Sequence, residues 1–204
     1  MKVIGIVGGS GAGKTTALGE LSAMGGVLLD CDAVYHELLR TSQELRSGIE
    51  GRFGPVFDEN GLNRQKLGNL VFGDPMALRD LNAIALAVLV PELRRRIEIA
   101  GRQGFRCVAL DGATLLESEL AQDCDALVAV IAPAEDRVRR IMAREGISEE
   151  YARKRIASQR SDEWICQRCS YVLLNDCTAE EFRARACALF DKILTEKQTG
   201  EGSK

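Results

Sequence analysis

Gly8-Gly9-Ser10-Gly11-Ala12-Gly13-Lys14-Thr15 is the stretch that decides the fold. It satisfies G-x-x-x-x-G-K-[ST] in full, and its flanks carry the elements that such a loop needs. Before it, Lys2-Val3-Ile4-Gly5-Ile6-Val7 is short, apolar and β-branched, the pattern of a buried strand. After it, the segment from Thr15 to Leu21 sets Leu18 and Leu21 on one helical face. Glycines let successive main-chain N–H groups converge on phosphate oxygens with no Cβ in the way. The helix N-terminus adds partial positive charge, Lys14 reaches toward β- and γ-phosphates, and the Thr15 hydroxyl suits Mg²⁺. A bare match would also describe a glycine turn that binds nothing. The strand before and the helix after favour a nucleoside triphosphate. Gly9, Ser10, Gly11, Ala12, Gly13, Lys14, Thr15 and Thr16 are the expected binding residues.

The rest of the chain constrains the class. A length of 204 residues gives room for one α/β domain with insertions and too little for two independent cores. A formal net charge of −3 argues against a general nucleic-acid or anionic-membrane binder. Basic residues come in local clusters instead: Arg94-Arg95-Arg96, then Arg137, Arg139, Arg140 and Arg144, then Arg153-Lys154-Arg155. Such clusters suit a small polyanionic ligand and equally a solvated helix face. No apolar stretch approaches the length of a membrane span, and the N-terminal segment reads as a strand. The seven cysteines, odd in number and without an export signal, read as reduced thiols of a cytoplasmic protein. Cys166-x-x-Cys169 lacks a second pair, and His36 is the chain's one histidine, so plain thiols are favoured over a metal site.

Elements alternate along the chain. Val27-Leu28-Leu29 forms a second strand ending in Asp30-Cys31-Asp32, and residues 33–50 read as one helix. Turn chemistry follows at 52–61. Asn63 and Asp74-Pro75 look like helix starts, and the region from 63 to about 103 reads as several helices interrupted at Pro91. A third strand covers Phe105 to Asp111 and a fourth Ala126 to Ala132. Charged helices follow at 134–145 and 148–161, then a fifth strand from Tyr171 to Asn175. A terminal helix from Thr178 to Leu194 opens with the capping box Thr178-x-x-Glu181, and residues 195–204 read as a frayed tail. Strands alternating with helices imply a parallel sheet that binds ligands at its carboxyl edge. That rule gathers the glycine loop, Asp30, Asp32, Asp111 and Asn175 around one crevice.

A phosphoryl-transfer enzyme also needs a group to act on the acceptor hydroxyl and cations to spread over the transferring phosphoryl. Asp32, at the expected end of the second strand, is the candidate for the first, with either Asp30 or Asp32 free to cap the next helix instead. Arg137, Arg140 and Arg144 share one helical face, so the two charged helices are expected to form a mobile lid over the nucleotide. Asp111 is a candidate for a Mg²⁺-bound water or for the acceptor pocket.

At this point the chain resembles the dephospho-CoA kinase family, nearly from end to end. The matching residues are Ile6 through Thr15, Leu29-Asp30-Cys31-Asp32, Phe53-Gly54, Gly61-Leu62-Asn63-Arg64, Leu67, Phe72-Gly73-Asp74-Pro75 and Leu81-Asn82-Ala83-Ile84. They continue through Leu110-Asp111, Leu115-Leu116-Glu117, Arg140, Arg144, Arg155-Ile156-Ala157-Ser158-Gln159 and Tyr171-Val172-Leu173-Leu174-Asn175-Asp176. The glycine loop is generic, whereas D-x-D, L-N-A-I, R-I-x-x-Q and the Tyr-Val-hydrophobic-Asn run are specific in combination.

The resemblance implies a three-layer α/β P-loop kinase with a five-stranded parallel sheet. Its single domain would have core segments 1–32, 104–133 and 164–194, a helical acceptor-binding region at 33–103 and a helical lid at 134–163. It implies transfer of the ATP γ-phosphate to the ribose 3′-hydroxyl of dephospho-CoA, with Mg²⁺. No nucleic-acid or membrane partner is expected from the charge and hydropathy, and a monomer or weak homo-oligomer is expected. Lys14, Asp32 and Arg140 would be catalytic and Asn175 would lie near the adenine. Asp32, His36 and Asp111 would face the acceptor, and Thr15 would hold the metal with Asp111 acting through water. Departures from the family pattern concentrate on the acceptor side. Leu86-Ala87 stands for His-Pro, His36 for an arginine, Ala113-Thr114-Leu115-Leu116-Glu117 for P-L-L-F-E, and Asp162-Glu163-Trp164-Ile165 where a lysine is usual. Such departures leave room for a related kinase with another small acceptor, or for a nucleotide binder without catalysis. The set Lys14, Thr15, Asp32 and Arg140 speaks against the latter.

Overall fold

The alternation of β-branched runs with amphipathic segments produces a sheet flanked by helices in the computed structural model, which describes residues 1–112 and 114–196. In chain order the elements begin with β1 (Lys2–Val7), α1 (Lys14–Ala23), β2 (Gly26–Asp30), α2 (Cys31–Thr41) and α3 (Gln43–Phe53). Then come β3 (Phe57–Asp58), β4 (Gly61–Leu62), α4 (Arg64–Val71), α5 (Pro75–Arg102) and β5 (Cys107–Asp111). A 3₁₀ turn at Leu115–Glu117 leads to α6 (Leu120–Asp123), β6 (Ala126–Ile131), α7 (Ala134–Glu145), α8 (Glu149–Ala157), α9 (Asp162–Cys166), β7 (Tyr171–Leu174) and α10 (Ala179–Thr195). The chain forms two compact units, one of residues 1–29 and 99 onward, the other Asp30–Glu98.

The five-stranded sheet has the order β2-β5-β1-β6-β7. β1 pairs in parallel with β5 and β6, and β6 in parallel with β7. The strand order therefore changes direction at β1, the position where open α/β sheets bind ligands. Alternate residues Ile4, Ile6, Cys107, Ala109, Val128, Val130 and Leu173 build one core face with Ala17, Leu18 and Leu21 of α1. Phe182, Ala186, Phe190 and Ile193 of α10 close it at helical spacing. Phe182 and Phe190 are almost wholly buried, each contributing roughly 2–3 kcal/mol of transfer free energy. The capping box of α10 forms as the sequence predicts, Thr178 and Glu181 each satisfying the other's main-chain N–H.

The unit Asp30–Glu98 has its own core of Leu45, Ile49, Val56 and Leu67. Asn63 caps α4 through Lys66 N at 2.9 Å, and Asp74 caps α5 through Met76 N and Ala77 N, both as read from sequence.

Several expectations need correction. The single helix at 33–50 is two, because Ser42 is extended and its hydroxyl accepts from Leu45 N, ending α2 and starting α3 together. Pro91 does not interrupt the long helix. Ala87, whose carbonyl loses its usual donor, is exposed and open to water, while Leu89, Val90 and Leu93 anchor the helix on its buried face. The turn region holds a small antiparallel hairpin pairing Phe57 with Leu62. The second charged helix stops at Ala157, and Ser161 caps a separate α9. Ala113 and the tail from residue 197 onward lie outside the described residues. No helix of the described residues is long and apolar enough to cross a membrane.

Candidate active site

The glycine loop leaves β1 at the carboxyl edge of the sheet and enters α1 through Gly13. Gly13 sits at φ 110°, a left-handed conformation for which a Cβ would be strained. Added at Gly13, a methyl would also overlap the Asn175 carboxamide. Neighbouring strand ends meet here by register. Ile6 pairs with Asp111, Val7 with Ala129 and Ile131 with Leu174, so Asn175 follows β7 at the same edge and donates its main-chain N–H to Ile131 O at 2.7 Å.

Polar side chains hold the loop from behind. Among the described residues the buried polar or charged side chains are Arg137, 4% exposed, and Asn175, 6% exposed, and both bond this loop. Arg137 donates from Nε to Ser10 O at 3.0 Å, from Nη2 to Gln159 Oε1 at 2.9 Å and from Nη1 to Asp162 Oδ1 at 3.1 Å. Gln159 in turn accepts from Ser10 N at 3.0 Å and donates to Ser10 Oγ at 2.8 Å. Asn175 donates from Nδ2 to Ala12 O at 2.8 Å. Arg140, half-buried, bridges Gly11 O and Asn175 Oδ1, each at 3.2 Å. No buried side-chain nitrogen or oxygen of the described residues is left without a partner.

On the loop itself, Lys14 Nζ donates to Gly8 O at 3.2 Å, so its ammonium already lies along the loop. Among the described residues, the main-chain N–H groups of Gly11, Gly13, Lys14 and Thr15 meet no protein acceptor. Thr15 is exposed. Unfilled donors at a helix N-terminus next to a lysine form an anion site.

Of the expected residues, the structure brings Gly9 to Thr16, Arg140 and Asn175 together. The basic face of α7 resolves into three different roles. Arg137 is buried under the loop and Arg140 spans loop and Asn175, while Arg144 is exposed and paired with Glu145. Asp111 ends β5, half-buried and engaged by other groups.

Asp32 does not end the second strand, as the sequence suggested. That strand stops at Asp30, whose carboxylate caps α2 through Ala33 N at 2.9 Å. Asp32 is exposed in the first turn of α2. His36 is exposed on the same helix, with Nδ1 3.5 Å from Arg64 Nη2. Arg95 and Arg96 both bond Glu92, and Arg96 also bonds Glu37 at 2.7 Å, so these cations are already neutralised. All seven cysteines are free thiols. Burial pushes the Cys169 thiol up to about 11.

Sequence reasoning missed Gln159, Asp162 and Arg64. Gln159 and Arg64 stood inside quoted motifs, and Asp162 inside a noted departure, so each position was visible and only its partner was not.

The dephospho-CoA kinase family model matches residues 2–181. The chain is 32% identical over 199 residues to the dephospho-CoA kinase of Chlorobaculum tepidum, covering 95% of both chains. It is 33% identical over 191 residues to that of Latilactobacillus sakei, covering 93% of this chain and 95% of the relative. A crystal structure from Thermus thermophilus superposes with a TM-score of 0.77 at 32% identity, over 96% of this chain and 98% of that one. The glycine loop, its braces on α7 and after β7, and the span of these matches agree: the chain belongs to the dephospho-CoA kinase family.

Proposed function

We propose that this protein transfers the γ-phosphoryl group of ATP to the ribose 3′-hydroxyl of dephospho-CoA, giving CoA and ADP. The observation that carries the reading is the set of unfilled N–H donors at Gly11, Gly13, Lys14 and Thr15, in a chain that is a family member across most of its length. In this reading the acceptor oxygen bonds to the γ-phosphorus, the bond to the β-phosphate oxygen breaks, and the hydroxyl proton passes to Asp32. Lys14 exchanges its bond to Gly8 O for phosphate oxygens, and Arg140 spreads positive charge over the same group. Asn175 fixes the loop beside the adenine, while His36 and Asp111 contact the acceptor. Residues 134–163 close as the lid.

The oxygen-bearing side chains of Thr15 and Asp111 suit a hard divalent ion. Thr15 is exposed at the head of α1, and Asp111 supplies a carboxylate at the neighbouring strand end, so Thr15 would hold Mg²⁺ directly and Asp111 through water. Held there, the ion would supply positive charge to offset the charge of the phosphate oxygens. The reading includes a cytoplasmic protein that acts as a monomer or weak homo-oligomer.

A coupled ADP-release assay tests the acceptor. Dephospho-CoA should support turnover far above a panel of nucleosides and nucleotides. ADP release with another acceptor alone would reassign the substrate, and none with any acceptor despite tight Mg·ATP binding would leave a nucleotide binder.

A further inference from the structure

We propose that Arg137 is a positioning residue that sets the direction of a phosphate-binding amide. The proposal rests on the glycine loop being the nucleotide site. Burying a guanidinium is costly unless its donors are filled, and here each of three nitrogens has an acceptor. One acceptor is not a side chain but Ser10 O, a loop carbonyl.

That bond has a geometric consequence. The described chain has no cis peptide, so the carbonyl of Ser10 and the N–H of Gly11 lie in one plane and point in opposite directions across the C–N bond. Pulling Ser10 O back onto Arg137 turns the Gly11 N–H toward the other side, where it meets no protein acceptor. Asn175 does the same two residues later, taking Ala12 O and turning out the Gly13 N–H. Gln159 holds the preceding peptide through the Ser10 N–H and the side chain through its hydroxyl, which leaves the Ser10–Gly11 peptide to Arg137. Asp162, at the start of α9, balances the charge and ties that helix to the loop through Arg137. Gly9 completes the arrangement, since a methyl there would overlap the guanidinium.

Arg137 in this role differs from a residue that merely fills the core. Removing a core side chain lowers stability, whereas misaiming an amide weakens phosphate binding in protein that is still folded. Calorimetric titration of wild type, Arg137→Lys and Arg137→Met with Mg·ATP and with inorganic tripolyphosphate separates the two. For Arg137→Met we expect Kd to rise about tenfold for both ligands, the effect of misplacing roughly one charge-assisted donor, with KM for the acceptor within about twofold. Arg137→Lys keeps the charge but not the fork and should fall between the two.

Unchanged affinity in a folded Arg137→Met, with only a lower Tm, overturns the proposal. Should Arg137→Met fail to fold, Arg137→Lys decides: affinity equal to wild type overturns the proposal, and a several-fold loss for both ligands supports it. Absence of Mg·ATP binding by wild type would instead remove the nucleotide reading on which this rests.

Discussion

Gly9 and Arg137 are matched in size: the guanidinium occupies the space that a side chain at residue 9 would need. Alanine at Gly9 must either displace Arg137 or shift the loop. It should cost about 1–3 kcal/mol, the usual penalty for overpacking a filled site. In the Arg137→Met background the flexible, uncharged side chain can give way, so the same change should cost less. Denaturant titration of the four proteins in a double-mutant cycle measures that coupling, and strict additivity would show that the two positions do not compete. Asp32 is a different kind of residue, exposed and with no role in its helix cap, which Asp30 supplies. Asp32→Asn should therefore leave Tm and Mg·ATP affinity nearly unchanged while kcat falls by roughly 10²–10⁴, the range for losing a group that accepts a proton. Equal turnover in steady-state kinetics would end its proposed role.

Elements show which signals in the sequence were strong. β1 and α1 were legible because apolar periodicity agreed with the glycine loop between them, and α10 because its periodicity agreed with a capping box. Their partners in the core confirm the faces that were read. The break at Ser42 was hidden because α2 and α3 are both amphipathic, so one continuous period fits them equally well. Pro91 misled in the opposite direction, since local propensity favours a break and tertiary burial of Leu89, Val90 and Leu93 outweighs it. Directly after that proline, Glu92 bonds Arg95 and Arg96 in the next turn. The hydrogen bond from Arg95, with Arg96 assisting, lowers the Glu92 carboxyl to about 2 from an ordinary 4.5. A depressed carboxylate stabilises the fold fully above its unfolded value and loses that contribution as pH falls through the folded one. The Glu92 contribution is thus complete above about pH 4.5 and gone near pH 2. After discounting for solvent screening, Glu92→Gln should cost about 0.5–1 kcal/mol at pH 7. Urea titrations of both proteins at pH 7 and pH 2.5 check this, and the gap should narrow at the lower pH.

At the scale of the molecule, the functional site is built from residues far apart in sequence. Ser10 meets Gln159 and Ala12 meets Asn175 across separations of 149 and 163 positions, so no local pattern could pair them. The sequence could show that a loop, an α7 arginine and a final-strand asparagine existed, and only the sheet order brings them to one edge. That concentration has a thermodynamic signature. Every brace of the glycine loop lies in the unit of residues 1–29 and 99 onward, while Asp30–Glu98 has a separate core. Mg·ATP at about a hundred times its Kd stabilises the form that binds it by about 2.7 kcal/mol. In a chain of this size that corresponds to a rise in Tm of roughly 5–10 °C. If the chain melts in two calorimetric steps, the step containing the loop should move and the other should stay within about a degree. A chelator should return the moved transition most of the way toward its ligand-free position. Equal displacement of both steps would show instead that nucleotide binding and the helical unit are energetically inseparable. In that case the Asp30–Glu98 unit responds to ATP before any acceptor arrives.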